Sequence, residues 1–99
     1  MDHQELDLSL EYLYRAILML QTPEECRSFL NDLCTSSELQ EMARRLRAAK
    51  MLKRGYVYSE IAEQTGLSTA TISRVNRCLK YNGDGYLQIL ERLEKAEHR

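Results

Sequence analysis

Apolar residues recur along this chain at intervals of three and four, and nowhere alternate with period two over a useful length, so the pattern predicts an all-α fold. Leu6, Leu10, Leu13 and Ile17 are spaced by 4, 3 and 4 residues, and Tyr14 and Leu18 widen the stripe, giving a first helix over about 4–20. That stripe is too broad for a lightly covered surface helix. Thr22, Pro23 and Glu25 predict the start of a second helix, with Thr22 as N-cap, Pro23 at the first helical position and Glu25 closing a capping box. Cys26, Phe29, Leu30 and Leu33 would form its buried face. Thr35 and Glu38 make a second capping box, opening a long third helix with Leu39, Met42, Leu46 and Ala49 on its inner face and Gly55 at its end.

The stretch 58–79 then changes character. Ala62 and Gly66 stand four apart, and Ile61, Leu67, Ile72 and Val75 fall where two crossed helices would bury them, which is the pattern of a helix-turn-helix. Each position has a reason. Ala62 is small where the second helix crosses the first, Gly66 can take the left-handed backbone that ends a helix, and Ser68 can cap the next one. The fourth helix is expected from Tyr58 to Gly66 and the fifth from Thr69 to about Tyr81. A turn is expected at Asn82, Gly83, Asp84 and Gly85, followed by a sixth helix over about 86–97 with Leu87, Leu90 and Leu93 on one side. A helical hairpin packed against protein would share the helix-turn-helix pattern, so side-chain chemistry has to separate the two.

Charge bears on that choice. The chain carries a net −1 overall, but residues 1–40 hold eight acids and two bases, a net of −6, whereas residues 41–81 hold nine bases and three acids, a net of +6. The nine are Arg44, Arg45, Arg47, Lys50, Lys53, Arg54, Arg74, Arg77 and Lys80, and positive charge beside a recognition helix is what phosphate contact requires. Arg44, Arg47 and Arg54 share roughly one outer face of the third helix, which reads equally as a solvated side or as a phosphate-contacting row. The fifth helix would expose short polar groups and arginines suited to base edges and phosphates. Ser68, Thr69, Ala70, Thr71, Ser73, Arg74, Arg77 and Lys80 are the expected DNA-contacting set.

Other chemistries find little support. At 99 residues the chain is read as one domain, and a chain of this size buries only about two thirds of its unfolded surface, so a second subunit would help supply the core. No apolar run approaches the roughly 20 residues of a membrane span or has the layout of a signal peptide, so a cytoplasmic protein without membrane partners is expected. Cys26, Cys34 and Cys78 form no Cys-x-x-Cys and lie beside no histidine, and His3 and His98 sit near the two ends; buried free thiols are expected, with no metal site or disulfide framework. Gly83 and Gly85 follow no strand and precede no Gly-Lys-Ser/Thr, so they mark a turn, not a phosphate loop. No nucleophile, base and orienting group can be assembled into a catalytic set, and no enzyme is expected.

With Thr35, Arg45, the exit from the long helix at Leu52, Lys53, Arg54 and Gly55, and the segment Thr65 to Arg74 laid out, the chain resembles the tryptophan-repressor superfamily, in particular its YerC/YecD-type branch, over roughly residues 10 to 95. The resemblance implies an intertwined homodimer of six-helix TrpR-like domains in which the helices about 4–54 and 86–97 interlock and the helix-turn-helix at 58–81 is presented to DNA. Two such heads would read half-sites about 34 Å apart in an operator of approximate two-fold symmetry. In the family's tryptophan-binding member a threonine and two arginines hold the amino acid, and Thr35, Arg45 and Arg74 match those positions; an arginine pair of that kind could hold a carboxylate bidentately. Where that member has a glycine giving room to the indole, this chain has Val75, which argues against tryptophan. A different small corepressor in a reshaped pocket stays open, and no cofactor is expected. Two further departures are a segment between Gly55 and Gly66 one residue shorter and Val57 in place of a polar cap.

The reading is therefore an all-α, homodimeric, sequence-specific DNA-binding regulator, a repressor by resemblance. Two alternatives remain open: a helical adaptor that binds protein through the basic face, and a replication-origin-type DNA binder on a related fold.

Overall fold

The computed structural model describes residues 2–82 and 84–98, and they form six helices: α1 (His3–Leu18), α2 (Pro23–Leu33), α3 (Ser36–Lys53), α4 (Tyr58–Thr65), α5 (Thr69–Tyr81) and α6 (Asp84–Glu97). They divide into two compact units, residues 1–36 and 37–99. No helix of the described residues is long and apolar enough to cross a membrane.

In the first unit Asp2 caps α1, its Oδ1 accepting the Glu5 N–H at 2.8 Å. The helix starts one residue before the expected position, and the cap satisfies a backbone donor that the first turn leaves without an intrahelical partner. At α2, Thr22 Oγ1 accepts the Glu25 N–H at 3.1 Å as anticipated. The returning half of the box differs: the Glu25 carboxylate accepts from Gln21 at 2.9 Å, one residue before the cap, and so fixes the entering chain. Neither α1 nor α2 contains a buried residue. The expected buried face of α2 is a correction, since Cys26, Phe29 and Leu30 are half-buried and Leu33 is exposed. The stripe on α1 is likewise open, with Leu6, Leu10, Tyr14, Ile17 and Leu18 all exposed.

The second unit has its core at the C-terminal half of α3. One cluster joins Ala48 and Met51 of α3 to Ile61, Leu67 and Ile72; the other joins Ala49 to Val75 and Leu90, and Leu52 packs on both. Ala48 and Ala49 are fully buried, and their small side chains let the neighbouring helices approach α3 closely. The expected inner face of α3 needs correcting: of Leu39, Met42, Leu46 and Ala49 only Ala49 is buried, Leu39 is half-buried, and Met42 and Leu46 are exposed. The reason is positional. Both clusters draw on α3 residues from 48 onward, so apolar residues nearer its start lie beyond the core of this unit.

Both ends of the third helix's exit are well specified. Gly55 adopts φ +87°, the Tyr56 N–H bonds to Met51 O at 3.1 Å and the Gly55 N–H to Leu52 O at 3.0 Å, the paired bonds of a Schellman motif. Lys53 and Lys50 of α3 pair with Glu94 and Glu97 of α6 at 3.4 and 3.9 Å. The expected turn at 82–85 is only partly comparable: Gly83 lies outside the described residues, and Asp84 and Gly85 belong to α6. An acid in the first turn suits the positive helix end, which explains the earlier start. Of the expected α6 stripe, Leu90 is buried while Leu87 and Leu93 are exposed. The three cysteines are free and half-buried, not buried as expected.

Candidate nucleic-acid interface

The reading head is built from the turn outward. Gly66 ends α4 at φ +76°, and its N–H bonds to Ala62 O at 2.9 Å, a left-handed cap that reverses the chain within two residues. Thr65 locks this turn from inside. It is 6% exposed; its hydroxyl donates to Ile61 O at 2.7 Å and accepts from the Leu67 N–H at 3.2 Å, so a backbone donor inside the core keeps a partner. Leu67 then drops into the core, and Ser68 caps α5 by accepting the Thr71 N–H at 3.1 Å. Val57 begins α4 without a side-chain cap, as its apolar side chain requires.

Ile72 and Val75 anchor the underside of α5 in the two core clusters, and helical periodicity turns the opposite side outward. Of the eight residues expected at the interface, Ser68, Thr69, Ala70, Arg74, Arg77 and Lys80 are exposed, and Thr71 and Ser73 are half-buried. The Ser68 hydroxyl is already committed, donating to Thr71 Oγ1 at 3.0 Å. Ser68 thus serves mainly to hold the helix start. The surface of α5 offers two guanidinium groups, an ammonium, hydroxyls and a methyl, which can meet phosphates, acceptors on base edges and thymine methyls.

The basic row on α3 divides. Arg47 donates through Nη1 to Gln64 O at 3.3 Å and through Nη2 to Gln64 Oε1 at 3.2 Å, tying α3 to the last turn of α4. Sequence reasoning missed this role because the two residues lie 17 apart with no local signature. Thr65 was also missed, although a hydroxyl directly before a glycine cap is a recognisable turn device. Arg44, Arg45, Arg54, Arg74, Arg77 and Lys80 make no ion pair among the described residues, so this unit keeps cationic groups available.

Of the suggested ligand residues, Arg45 and Arg74 are exposed on α3 and α5 of the second unit and Thr35 belongs to the first unit. Val75 is 4% exposed and packs with Ala49 and Leu90, so its methyl groups are part of the core.

A family model described as "Trp repressor protein" matches residues 8–94. The chain belongs to the Trp repressor family. It is 49% identical over 88 residues to the uncharacterized protein YerC of Bacillus subtilis (strain 168), covering 89% of this chain and 85% of the relative. Among solved structures, a candidate Trp repressor from Staphylococcus aureus superposes with a TM-score of 0.86 at 46% identity, over 95% of both chains. A TrpR-like protein from Eubacterium eligens ATCC 27750 gives 0.85 at 47% identity, over 88% of this chain and 90% of that one. The six-helix order is thus that of TrpR-like proteins, and membership makes this chain a DNA-binding regulator in kind.

Proposed function

We propose that this Trp repressor family member is a sequence-specific transcriptional repressor that binds a two-fold symmetric operator as a homodimer, inserting α5 into the major groove. The observation that carries this reading is the polar and basic side of α5, anchored from beneath by Ile72 and Val75 and carrying Thr69, Ala70, Arg74, Arg77 and Lys80 outward. Thr69, Ala70, Thr71 and Ser73 meet bases or the nearby backbone; Arg74 and Arg77 meet phosphate or guanine, and Lys80 the backbone.

Dimerisation is supported by apolar side chains left open, which run from Leu6 through Leu18 on α1 and include Met42, Leu46 and Leu93. Helices over about 4–54 and 86–97 supply the dimer surface, and residues 58–81 the reading head. The protein binds without tryptophan, because Val75 is committed to the core where an indole would need room. Selection of duplexes from a random pool, with no added ligand and at near-physiological salt, tests all of this. A symmetric motif with half-sites about one helical turn apart is expected. Recovery of nothing above background without ligand, but of a motif when amino acids or metabolite pools are added, would overturn the ligand-free reading; failure in every arm would overturn DNA recognition.

A further inference from the structure

A cavity of about 180 Å³ opens in the corner between α3 and α4, lined by Arg47, Lys50, Met51, Arg54, Tyr56 and Gln64. Three of the six carry positive charge, and no carboxylate lines it among the described residues. Their compensation is incomplete. Arg47 is bonded to Gln64, a neutral partner that satisfies donors without cancelling charge. Lys50 has its carboxylate, Glu97, at 3.9 Å with both side chains well exposed, a spacing at which an ion pair contributes little. Arg54 has no ion pair among the described residues.

The backbone holds these groups in place. Arg54 and Tyr56 flank Gly55 in the Schellman turn, whose hydrogen bonds to Met51 and Leu52 fix the chain on both sides of the glycine. Arg47 and Lys50 precede them on the last turns of α3. Like charges converging on one small cavity repel each other, and an anion placed among them converts that repulsion into attraction. Guanidinium groups are planar, permanently charged donors suited to tetrahedral oxyanions, and a phenol hydroxyl beside them can supply one more donor.

We propose that this corner is an anion site that takes a phosphate group, with Arg54 as its uncommitted cation and Arg47, Lys50 and Tyr56 as supporting donors. Its occupant is either a phosphate of bound DNA or the phosphate of a free phosphorylated molecule. Occupancy is coupled to the reading head through Arg47: a phosphate that draws its guanidinium competes with Gln64, two residues before Gly66. The DNA source rests on the function proposed above, whereas binding of free phosphate does not, so the two can fail separately.

The test uses the full chain and its Arg54→Gln variant, with circular dichroism to establish that both are folded. Thermal unfolding in inorganic phosphate is compared with unfolding in chloride at equal ionic strength, and duplex affinity is followed against salt. A phosphate-specific rise in melting temperature, lost in Arg54→Gln, supports the site with a free phosphate as occupant. No such rise, but a salt slope for duplex binding lower by about one unit in Arg54→Gln, supports the site with DNA as the source. Equal melting temperatures in the two anions together with equal salt slopes in parent and variant overturn the proposal.

Discussion

Replacing Gly66 by Ala isolates the cost of the turn on which the reading head depends. At φ +76° the backbone is left-handed, where an L side chain crowds its own carbonyl at a cost of about 1–2 kcal/mol. A Cβ built there meets nothing within 4 Å, so no clash with neighbours adds to this. Alanine also restricts the unfolded chain, which returns about 0.4–1 kcal/mol. The net expectation is a loss of about 1 kcal/mol, or about 4–8 °C in melting temperature for a domain of this size. Gly85 is the control: it lies within α6, is not among the positive-φ glycines, and its added Cβ also meets open space. Gly85→Ala, in the first turn of α6, should therefore stabilise by at most about 0.5–1 kcal/mol, the figure for a helix interior. Urea unfolding followed by far-ultraviolet circular dichroism, at one fixed protein concentration, should give opposite signs for the same chemical change. A Gly66→Ala protein as stable as the parent would refute the left-handed cap and the turn geometry built on it.

Other substitutions probe different levels. Thr65→Val keeps the shape but strips the Leu67 N–H of its acceptor inside the core, and should cost about 1–3 kcal/mol in chemical denaturation, while Thr65→Ser retains most of the stability. Ser68→Ala removes the α5 cap and should cost about 1 kcal/mol by the same assay. Arg77→Ala, exposed on α5, should weaken duplex binding and, if its contact is to phosphate alone, lower the salt slope by about one unit; parallel slopes would remove Arg77 from the interface. Leu10→Glu with Ile17→Glu puts two charges on the open stripe of α1 and should yield monomers in sedimentation; an unchanged dimer would place the interface elsewhere.

The helices were legible because their determinants are local. Thr22 and Pro23 mark the start of α2, Gly55 and Gly66 end α3 and α4, and Ser68 opens α5, each through bonds within a few residues. Burial was less legible. A stripe such as Leu39, Met42 and Leu46 reports that something must cover it but not whether the cover belongs to the same chain, and here the intrachain core draws on α3 only from residue 48 onward. Within the candidate interface, the outward residues of α5 could be read from helical phase because Ile72 and Val75 fix the opposite side. Arg47 could not, since its partner Gln64 is specified by the crossing of two helices and by nothing in the intervening sequence.

The absence of any buried residue in α1 and α2 reaches beyond structure to gene expression. During synthesis these two helices leave the ribosome first, and in the proposed dimer their apolar surface stays open until a second copy of the chain covers it. In the proposed dimer, at low abundance, the number of operator-competent molecules grows as the square of the number of chains. Halving the supply of chains would then cut the number of dimers about fourfold, a law-of-mass-action consequence of pairing. A regulator built this way answers changes in its own dosage more steeply than a monomer could.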